Sequence, residues 1–310
     1  MSWLVKKEEA SLTPFGCYPG SRSLDEHIRN GIIVLDKPVG PTSHQVDRWV
    51  KEIVGVKKLS HGGTLDPRVS GVLIIALENS TKLMPILLSS KKEYVGVIHF
   101  HKDVSERKVK EVFSQFKGKV KQLPPLRSAV ARRVREREIY YLEFLEKDGR
   151  NVLFKIGCEA GFYVRRFAVD VGKKLGIGSH LQELRRTKSG NFSEDDAITL
   201  QDLFHAMNDE EKVREVILPL ERAVETIGKI VISDTAIWNI CNGAPLAIPG
   251  IVKLEDNINK GDMVAIFSLK GELVALGKAV MSSEEIYKKR RGIAVKTDRV
   301  IMKKGVYPRK

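Results

Sequence analysis

The sequence predicts an α+β protein in which a larger domain with a mixed β-sheet precedes a small β-barrel. Strand-like and helix-like segments occur together without the strict alternation of βαβ units, and this favours α+β over α/β. Near residue 227 the pattern changes to short β-rich segments separated by turn residues, which is typical of a small barrel. A length of 310 residues agrees with a division into two domains.

The first part of the chain contains turn residues and then a succession of strand and helix patterns. Residues 1–30 include several prolines and glycines and are interpreted as an extended N-terminal arm. Buried-strand patterns follow at 31–35 and 71–76. Between them, the Thr42-Ser43 pair can cap a helix. The apolar residues of this helix recur at helical spacing, and they are Val46, Trp49, Val50 and Ile53.

The middle of the chain predicts a further strand, two helices and a hairpin. The strand is expected at 94–98, and amphipathic helices are expected over 104–116 and 162–175. Between the two helices, two segments of alternating polarity flank Asp148-Gly149, a dipeptide typical of hairpin turns.

Charge is distributed unevenly between the two predicted domains, 31–226 and 227–310. The chain has 53 lysines and arginines against 39 acidic residues, which gives a formal net charge of +14 at pH 7. Residues 228–310 contain 15 basic and 8 acidic residues and therefore carry a net charge of +7, which is half of the total. A basic surface attracts polyanions, and nucleic acid is therefore the first partner to consider. The C-terminal domain is the expected place for a sequence-tolerant contact with an RNA backbone.

Several classes of protein are disfavoured by the sequence. No stretch reaches the roughly 18 to 20 apolar residues of a membrane span, and the charged N-terminus has no secretory signal. Cys17, Cys158 and Cys241 are scattered without a C-x-x-C pair, and the histidines are dispersed. We therefore expect a cytoplasmic protein with no membrane contact, no disulfide framework and no metal site.

The most informative segment is HGGTLDPRVSG at residues 61–71, in which Asp66 precedes a proline. The proline restricts the backbone of Asp66 to extended conformations, and the flanking glycines place it on a loop before a buried strand. A carboxylate on such a loop can face a cleft. For an isolated Asp-Pro pair, turn formation would be the simpler interpretation.

This segment resembles the signature of the TruB family of pseudouridine synthases, in its archaeal and eukaryotic branch. Other segments resemble further motifs of the family in the same order, and the resemblance covers nearly the whole chain from about residue 25. They are GIIVLDKPVGPTS at 31–43, KEYV at 92–95, PPLRSAV at 124–130, CEAGFYVR at 158–165 and LRRTKSG at 184–190. Segments at 240–253, 260–262 and 276–283 resemble a PUA domain. One departure is Phe162, where the family usually has threonine.

The resemblance implies the pseudouridine synthase fold, with a mixed central β-sheet, followed by a C-terminal PUA β-barrel. It implies isomerisation of uridine to pseudouridine in RNA, chiefly ribosomal RNA, without a cofactor. The chain is similar in particular to the archaeal catalytic subunits of box H/ACA ribonucleoproteins, relatives of eukaryotic dyskerin. The implied partners are an H/ACA guide RNA, the target RNA, small Nop-type and Gar-type proteins, and a kink-turn-binding ribosomal-type protein that joins through RNA.

The resemblance also implies roles for individual residues. Asp66 acts as the nucleophile toward the ribose or removes a ribose proton, and the sequence leaves these two routes open. Arg165 pairs with Asp66, because a neighbouring cation favours an ionised carboxylate. Tyr94 stacks on the detached uracil, with a core strand position as the alternative. His61 fills the space that a flipped base vacates, or is structural, and Lys37 supports the loop.

Two groups of residues are expected to contact RNA. Arginines near the Pro-Pro break would clamp substrate RNA through its phosphates, whereas a solvated face is the simpler alternative. These arginines are Arg127, Arg132, Arg133 and Arg135. The guide-RNA contacts expected in the PUA domain are Gly243, Lys253, Lys260 and Lys278.

Two other functions remain open from the sequence. A stand-alone tRNA pseudouridine synthase would modify the T-loop uridine, and activity without a guide RNA would favour it. A non-catalytic RNA-binding scaffold would keep the fold without the chemistry. The presence of Asp66, Tyr94 and Arg165 together disfavours the scaffold.

Overall fold

The computed structural model describes residues 2–8, 11–123 and 133–309. Its strands form two sheets, one of ten strands in the larger domain and one of seven strands in the C-terminal domain. The α+β class is confirmed, and the first strand of the C-terminal domain begins at Gly228. Among the described residues, no helix has both the length and the apolar composition needed to cross a membrane.

The N-terminal segment is more ordered than an extended arm, because it contains strand β1 (Trp3–Val5) and helix α1 (Leu24–Arg29). β1 pairs antiparallel with the strand at Ile251–Glu255 in the C-terminal sheet. Next to β1, the ammonium group of Lys6 donates hydrogen bonds to three carbonyls at the end of a C-terminal helix. These are the carbonyls of Ile286, Tyr287 and Lys289. The N-terminal segment therefore completes the edge of the C-terminal domain.

A mixed sheet of ten strands forms the centre of the larger domain. Its strands are β2 (Gly31–Lys37), β3 (Leu59–His61), β4 (Val69–Leu77), β5 (Lys92–Phe100), β6 (Gly118–Gln122), β7 (Arg135–Asp148), β8 (Asn151–Cys158), β9 (Ser179–Ser189), β10 (Phe192–Ser193) and β11 (Leu218–Pro219). The main path has the order β11-β2-β4-β9-β5-β8-β7-β6, while β3 pairs with β4 and β10 pairs with β9. β4 and β9 pair in parallel, and the other neighbouring strands pair antiparallel. The predicted mixed sheet and the predicted hairpin of β7 and β8 are confirmed.

Six helices accompany this sheet among the described residues. They are α2 (Ser43–Val54), α3 (Met84–Ser89), α4 (Glu106–Ser114), α5 (Val164–Lys174), α6 (Leu200–Ala206) and α7 (Glu210–Val216). The helices predicted over 104–116 and 162–175 are thus present as α4 and α5, each slightly shorter than its pattern.

Helix α2 begins where the sequence predicts, with Thr42 as its N-cap in a capping box with Gln45. Its side chains at Val46 and Val50 are fully buried. Trp49, another of the apolar residues at helical spacing, is 41% exposed. Trp49 lies at the edge of the apolar stripe, so its large indole ring extends to the surface.

The C-terminal domain combines the second sheet with two helices. Its elements are β12 (Gly228–Ile232), α8 (Asp234–Cys241), β13 (Leu246–Ala247), β14 (Ile251–Glu255), β15 (Met263–Phe267), β16 (Leu273–Ala279), α9 (Ser283–Lys288) and β17 (Ile293–Val300). With β1 at one edge, the strand order is β1-β14-β12-β15-β16-β17-β13. Aliphatic side chains from the strands and both helices form its buried core.

An apolar cluster and the carboxylate of Glu221 join the two domains. The cluster combines side chains of β2 and β4 with side chains of β15 and β16. Beside it, the guanidinium group of Arg22 donates two hydrogen bonds, of 2.9 and 2.6 Å, to the carboxylate of Glu221. The same carboxylate accepts a hydrogen bond of 3.1 Å from the N–H of Leu273. Glu221 therefore joins the N-terminal segment, the larger domain and the C-terminal sheet.

Replacing Glu221 by glutamine should destabilise the protein, because Arg22 is only 8% exposed and would lose its charged partner. We expect the free energy of unfolding, measured by urea denaturation, to fall by about 3 kcal/mol. Glu284→Gln is the control, since Glu284 pairs with Lys288 on an exposed face of α9, where water screens the pair, and its replacement should leave the free energy of unfolding nearly unchanged. Equal effects of the two variants would show that the joint does not depend on the buried pair.

Candidate active site

Asp66 lies on the segment between β3 and β4, residues 62–68, which we call the Asp66 loop. The backbone of this loop is held from two sides. The N–H of Gly62 donates to the carbonyl of Ile74 at 2.7 Å. The hydroxyl of Ser43, in the first turn of α2, donates to the carbonyl of Leu65 at 3.0 Å and accepts from its N–H at 2.9 Å. The loop is thus fixed, while the side chain of Asp66 is 54% exposed and accessible to a substrate.

Arg165 lies in the first turn of α5 and forms an ion pair with Asp66. Its Nη2 is 2.5 Å from Oδ2 of Asp66, and both side chains are more than half exposed. Arg165 also lines a cavity of about 260 Å³ between α5, β9 and the end of the Asp66 loop. The neighbouring Arg166 instead pairs with Asp170 of the same helix at 3.0 Å. The structure therefore brings together the two residues that the family motifs pair.

Tyr94 lies on β5, opposite Arg186 of β9, and is half-buried between two apolar clusters. Burial raises the pKa of its hydroxyl, and the guanidinium of Arg186 beside it opposes this effect only in part. The hydroxyl is therefore protonated at neutral pH. This position agrees with the stacking role and also with the core alternative, so the role of Tyr94 stays a prediction.

Arg186 received no role from the sequence, yet its side chain lies beneath the Asp66 loop and is only 1% exposed. Its Nε donates to the carbonyl of Val72 at 2.7 Å, and its Nη2 donates to the carbonyl of Gly63 at 2.9 Å. The guanidinium also acts electrostatically on the hydroxyl of Tyr94. Gly71 makes this arrangement possible, since a Cβ at this residue, with φ +100°, would lie 2.2 Å from the carbonyl oxygen of Arg186.

The signal for Arg186 is present in the sequence but ambiguous, because the LRRTKSG motif contains two adjacent arginines. Neighbouring residues of a strand point to opposite faces of the sheet. Arg185 takes the other face, where it donates two hydrogen bonds of 2.9 Å to Asp36 and also pairs with Glu194. Only the register of β9 decides which arginine lies under the loop.

Lys37 was predicted to support the Asp66 loop. It is fully buried at the end of β2, and its ammonium group donates to the carbonyl of Pro38 at 2.7 Å. Burial lowers the pKa of Lys37, and the charge of Asp66 opposes this shift. The attraction between Lys37 and Asp66 agrees with a supporting role, which stays a prediction.

A second buried lysine, Lys92, received no role from the sequence. Its ammonium group donates to the carbonyls of Leu87 and Ser90 at 2.9 Å each and to the hydroxyl of Ser90 at 2.6 Å. Burial, and secondarily the guanidinium of Arg186, lowers the pKa of Lys92 to about 7. Lys92 and Arg186 therefore form a pair of buried basic side chains beneath the Asp66 loop, near Gly63.

His61 is the last residue of β3, and its ring is held between α2 and the Asp66 loop. Its Nδ1 is 2.7 Å from Oδ2 of Asp47, and its Nε2 is 3.0 Å from Oγ1 of Thr64. The expectation that it fills the space of a flipped base stays a prediction. The sequence indicated no metal site, yet His44, Asp47 and His61 present ligand atoms that all lie within 4.8 Å of one another. The sequence does not predict this group, because its members are brought together only by folding.

The expected RNA contacts in the larger domain are only partly within the described residues. Arg127 and Arg132 lie outside them. Arg133 is exposed, and Arg135 is half-buried at the first position of β7. Their contact with RNA stays a prediction.

The four residues expected to bind RNA in the C-terminal domain do not share one environment. Lys260 and Lys278 are exposed at the same end of the paired strands β15 and β16. Gly243 lies in the turn after α8 with φ +89°. Lys253 is half-buried on β14, and its ammonium group is 4.6 Å from the ring centroid of Trp3. Lys253 thus helps to hold β1, so an RNA contact would compete with this interaction.

Four family models match the chain in succession. The DKCLD (NUC011) domain matches residues 2–47, and the N-terminal domain of the TruB family of pseudouridylate synthases matches residues 51–164. The C-terminal domain of tRNA pseudouridylate synthase B matches residues 165–225, and the PUA domain matches residues 228–301.

Relatives and solved structures match over almost the full length of the chain. The probable tRNA pseudouridine synthase B proteins of Methanopyrus kandleri and Pyrococcus furiosus are each 50% identical, over 99% of this chain and 93% and 92% of their own. A chain from the crystal structure of a Cbf5-Nop10-Gar1 complex has a TM-score of 0.93 and 48% identity, covering 100% of this chain and 96% of its own. A chain from an H/ACA RNP bound to a substrate RNA containing 2'-deoxyuridine has a TM-score of 0.92 and 46% identity, covering 99% and 96%.

The fold, with an exposed carboxylate paired to Arg165 and a tyrosine nearby, defines an RNA pseudouridine synthase. The chain belongs to the TruB family of pseudouridine synthases and carries the C-terminal PUA domain. The expected fold is therefore confirmed in both of its domains.

Replacing Arg165 by methionine should lower the single-turnover rate of pseudouridine formation at least about 100-fold, because the carboxylate of Asp66 would lose the group that orients it. Arg166→Met is the matched control, since Arg166 pairs with Asp170 on the same helix and should retain nearly the wild-type rate. Equal losses in both variants would indicate a general effect of charge on α5 rather than the ion pair.

Proposed function

We propose that this chain isomerises uridine to pseudouridine as the catalytic subunit of an H/ACA guide RNA-protein complex. The observation that carries the proposal is the likeness, with TM-scores of 0.93 and 0.92, to chains solved in a Cbf5-Nop10-Gar1 complex and in an H/ACA RNP. The likeness covers both domains, which supports the same relation between the active site and the C-terminal sheet. The Asp66–Arg165 ion pair supports catalytic competence.

Asp66 is the nucleophile in this proposal. Its carboxylate bonds to C1′ of the ribose while N1 of uracil leaves with the electron pair of the glycosidic bond. The uracil then turns, and C5 attacks C1′ and displaces the carboxylate again. N1 gains a proton and C5 loses one, so the net reaction is an isomerisation. Removal of a ribose proton by the same carboxylate is the alternative first step.

The surrounding residues suit this reaction. The target uridine must leave its helix to reach Asp66, at a cost of about a few kcal/mol. Tyr94 offers an aromatic face for the uracil, and its protonated hydroxyl places no second negative charge beside Asp66. Arg165 holds the carboxylate in position, and RNA that closes the site would exclude water and strengthen their attraction.

The net charge of +14 suits contacts with RNA phosphates, which do not read the base sequence. In this proposal the target uridine is selected by base pairing with a guide RNA, so the protein needs no set of base-reading residues.

We propose an H/ACA guide RNA, target ribosomal RNA and small Nop-type and Gar-type proteins as partners, because Nop10 and Gar1 accompany the solved Cbf5 chain. A kink-turn-binding ribosomal-type protein would join through the guide RNA. We further propose that the complex acts in the cytoplasm.

Guide-independent modification of tRNA is the second candidate, and the T-loop uridine would then be the target. The names of the relatives from Methanopyrus kandleri and Pyrococcus furiosus, probable tRNA pseudouridine synthase B, support it. A non-catalytic RNA-binding scaffold is a candidate of another class, and the intact Asp66–Arg165 pair disfavours it.

Release of tritium from 5-tritiated uridine tests these proposals, since the hydrogen at C5 leaves during the reaction. The substrates are a guide–target RNA pair with the accessory proteins, and an unguided tRNA transcript. We expect guide-dependent release by the wild type and no detectable release by Asp66→Asn. Asp170→Asn, which changes a carboxylate that pairs with Arg166, should behave as the wild type. Release from tRNA alone would favour the stand-alone enzyme, and no release from either RNA would favour the scaffold.

A further inference from the structure

Three side chains with metal-binding atoms lie together at the base of the Asp66 loop. His44 and Asp47 are three residues apart in the first turns of α2, so they share one helix face. His61 approaches them from the end of β3. Oδ2 of Asp47 is 2.7 Å from Nδ1 of His61 and 3.7 Å from Nδ1 of His44.

This group has an unused donor atom and an accessible side. Oδ1 of Asp47 is buried and has no hydrogen-bond partner among the described residues. The side chain of His44 is 82% exposed, and its ring stands edge-on to that of His61 with a centroid distance of 5.2 Å. The half-buried Asp47 and the buried His61 are thus held in place, while the exposed His44 can move and leaves room for water on a bound ion.

The chemistry of the ligands selects the class of ion. Two imidazoles and one carboxylate suit Zn²⁺ and neighbouring first-row metals, whereas Mg²⁺ prefers oxygen ligands and water. Metal–ligand bonds of about 2.0 to 2.2 Å could form here after small side-chain movements, because the ligand atoms already lie within 4.8 Å of one another.

We propose that His44, Asp47 and His61 bind a first-row transition metal such as Zn²⁺, with water completing its coordination, and that the bound metal slows pseudouridine formation. Metal binding goes beyond the proposed function, whereas the effect on the rate of pseudouridine formation rests on that function. The site would be regulatory, because none of the three side chains pairs with Asp66 or Arg165.

His61 provides the connection between the metal and the Asp66 loop. Its geometry in the absence of metal suits an Nδ1–H that donates to Asp47 and an Nε2 that accepts from the hydroxyl of Thr64. An ion would take the lone pair of Nδ1, so the ring proton would move to Nε2, and the Thr64 hydroxyl would then accept instead of donate. Thr64 is two residues before Asp66, so this reversal would change the segment that carries the nucleophile.

Equilibrium dialysis of tag-free, chelator-treated protein against Zn²⁺ in a buffer with excess Mg²⁺ measures binding. Single-turnover pseudouridine formation with and without Zn²⁺ measures the effect on the rate. The wild type should bind one Zn²⁺ ion, and this binding should depend on His44. Saturation with Zn²⁺ should lower the single-turnover rate of the wild type at least about tenfold. His44→Ala should weaken binding at least about tenfold and remove the inhibition, while its metal-free rate equals that of the wild type. His101→Ala, which disrupts a separate histidine pair with His180 at 3.1 Å, should be inhibited as the wild type is.

Equal zinc binding by His44→Ala and the wild type, or no binding by either, would overturn the proposed site. Binding without inhibition, or inhibition that His101→Ala removes, would overturn the connection through His61. A wild type that binds zinc but forms no pseudouridine either with or without zinc would instead contradict the proposed function. The metal site would remain supported, since dialysis does not require activity.

Discussion

The buried guanidinium of Arg186 is the interaction on which the geometry of the active site depends. Placing an ion in a protein interior costs several kcal/mol unless hydrogen bonds compensate for the lost water. Arg186 obtains this compensation from the carbonyls of Val72 and Gly63. These two partners belong to β4 and to the Asp66 loop, and Arg186 itself lies on β9, so satisfying one cation fixes three parts of the site relative to one another. The side chain that Gly71 lacks would otherwise keep β4 and β9 apart at this point.

On this fixed frame the reacting groups stay accessible. Asp66 and Arg165 are both more than half exposed, whereas Arg186 is 1% exposed. The division suits an enzyme whose substrate is a large RNA, because the RNA itself can close the site, exclude water and strengthen the Asp66–Arg165 attraction. The protein then needs little rearrangement at the moment of reaction. Burial of Tyr94 adds a neutral hydroxyl, rather than a second anion, next to this pair.

Local sequence patterns predicted the parts of the structure whose determinants are close together in the chain. The cap at Thr42 and the hairpin at Asp148-Gly149 are examples, since each depends on a few adjacent residues. The pairing of β1 with β14 was not predicted, because nothing in residues 3–5 specifies a partner at the other end of the chain. The residues of the candidate site also differ in how far the sequence predicts them. Only the family motifs connect Asp66 with Arg165, which is 99 residues away. Arg186 escaped notice because the strand register, and not its sequence context, distinguishes it from its neighbour.

Amide hydrogen exchange, compared between Arg186→Met, Arg185→Met and the wild type, tests most directly whether the buried guanidinium holds the active site together. The Asp66 loop should exchange faster in Arg186→Met, at Gly62, Leu65 and Val69 above all, because these amides donate the hydrogen bonds of the loop. Exchange in β12–β16 of the C-terminal domain should stay at the wild-type rate in both variants, and the Asp66 loop should stay protected in Arg185→Met. Unchanged protection of the loop in Arg186→Met, or an equal loss in Arg185→Met, would contradict the central role of Arg186.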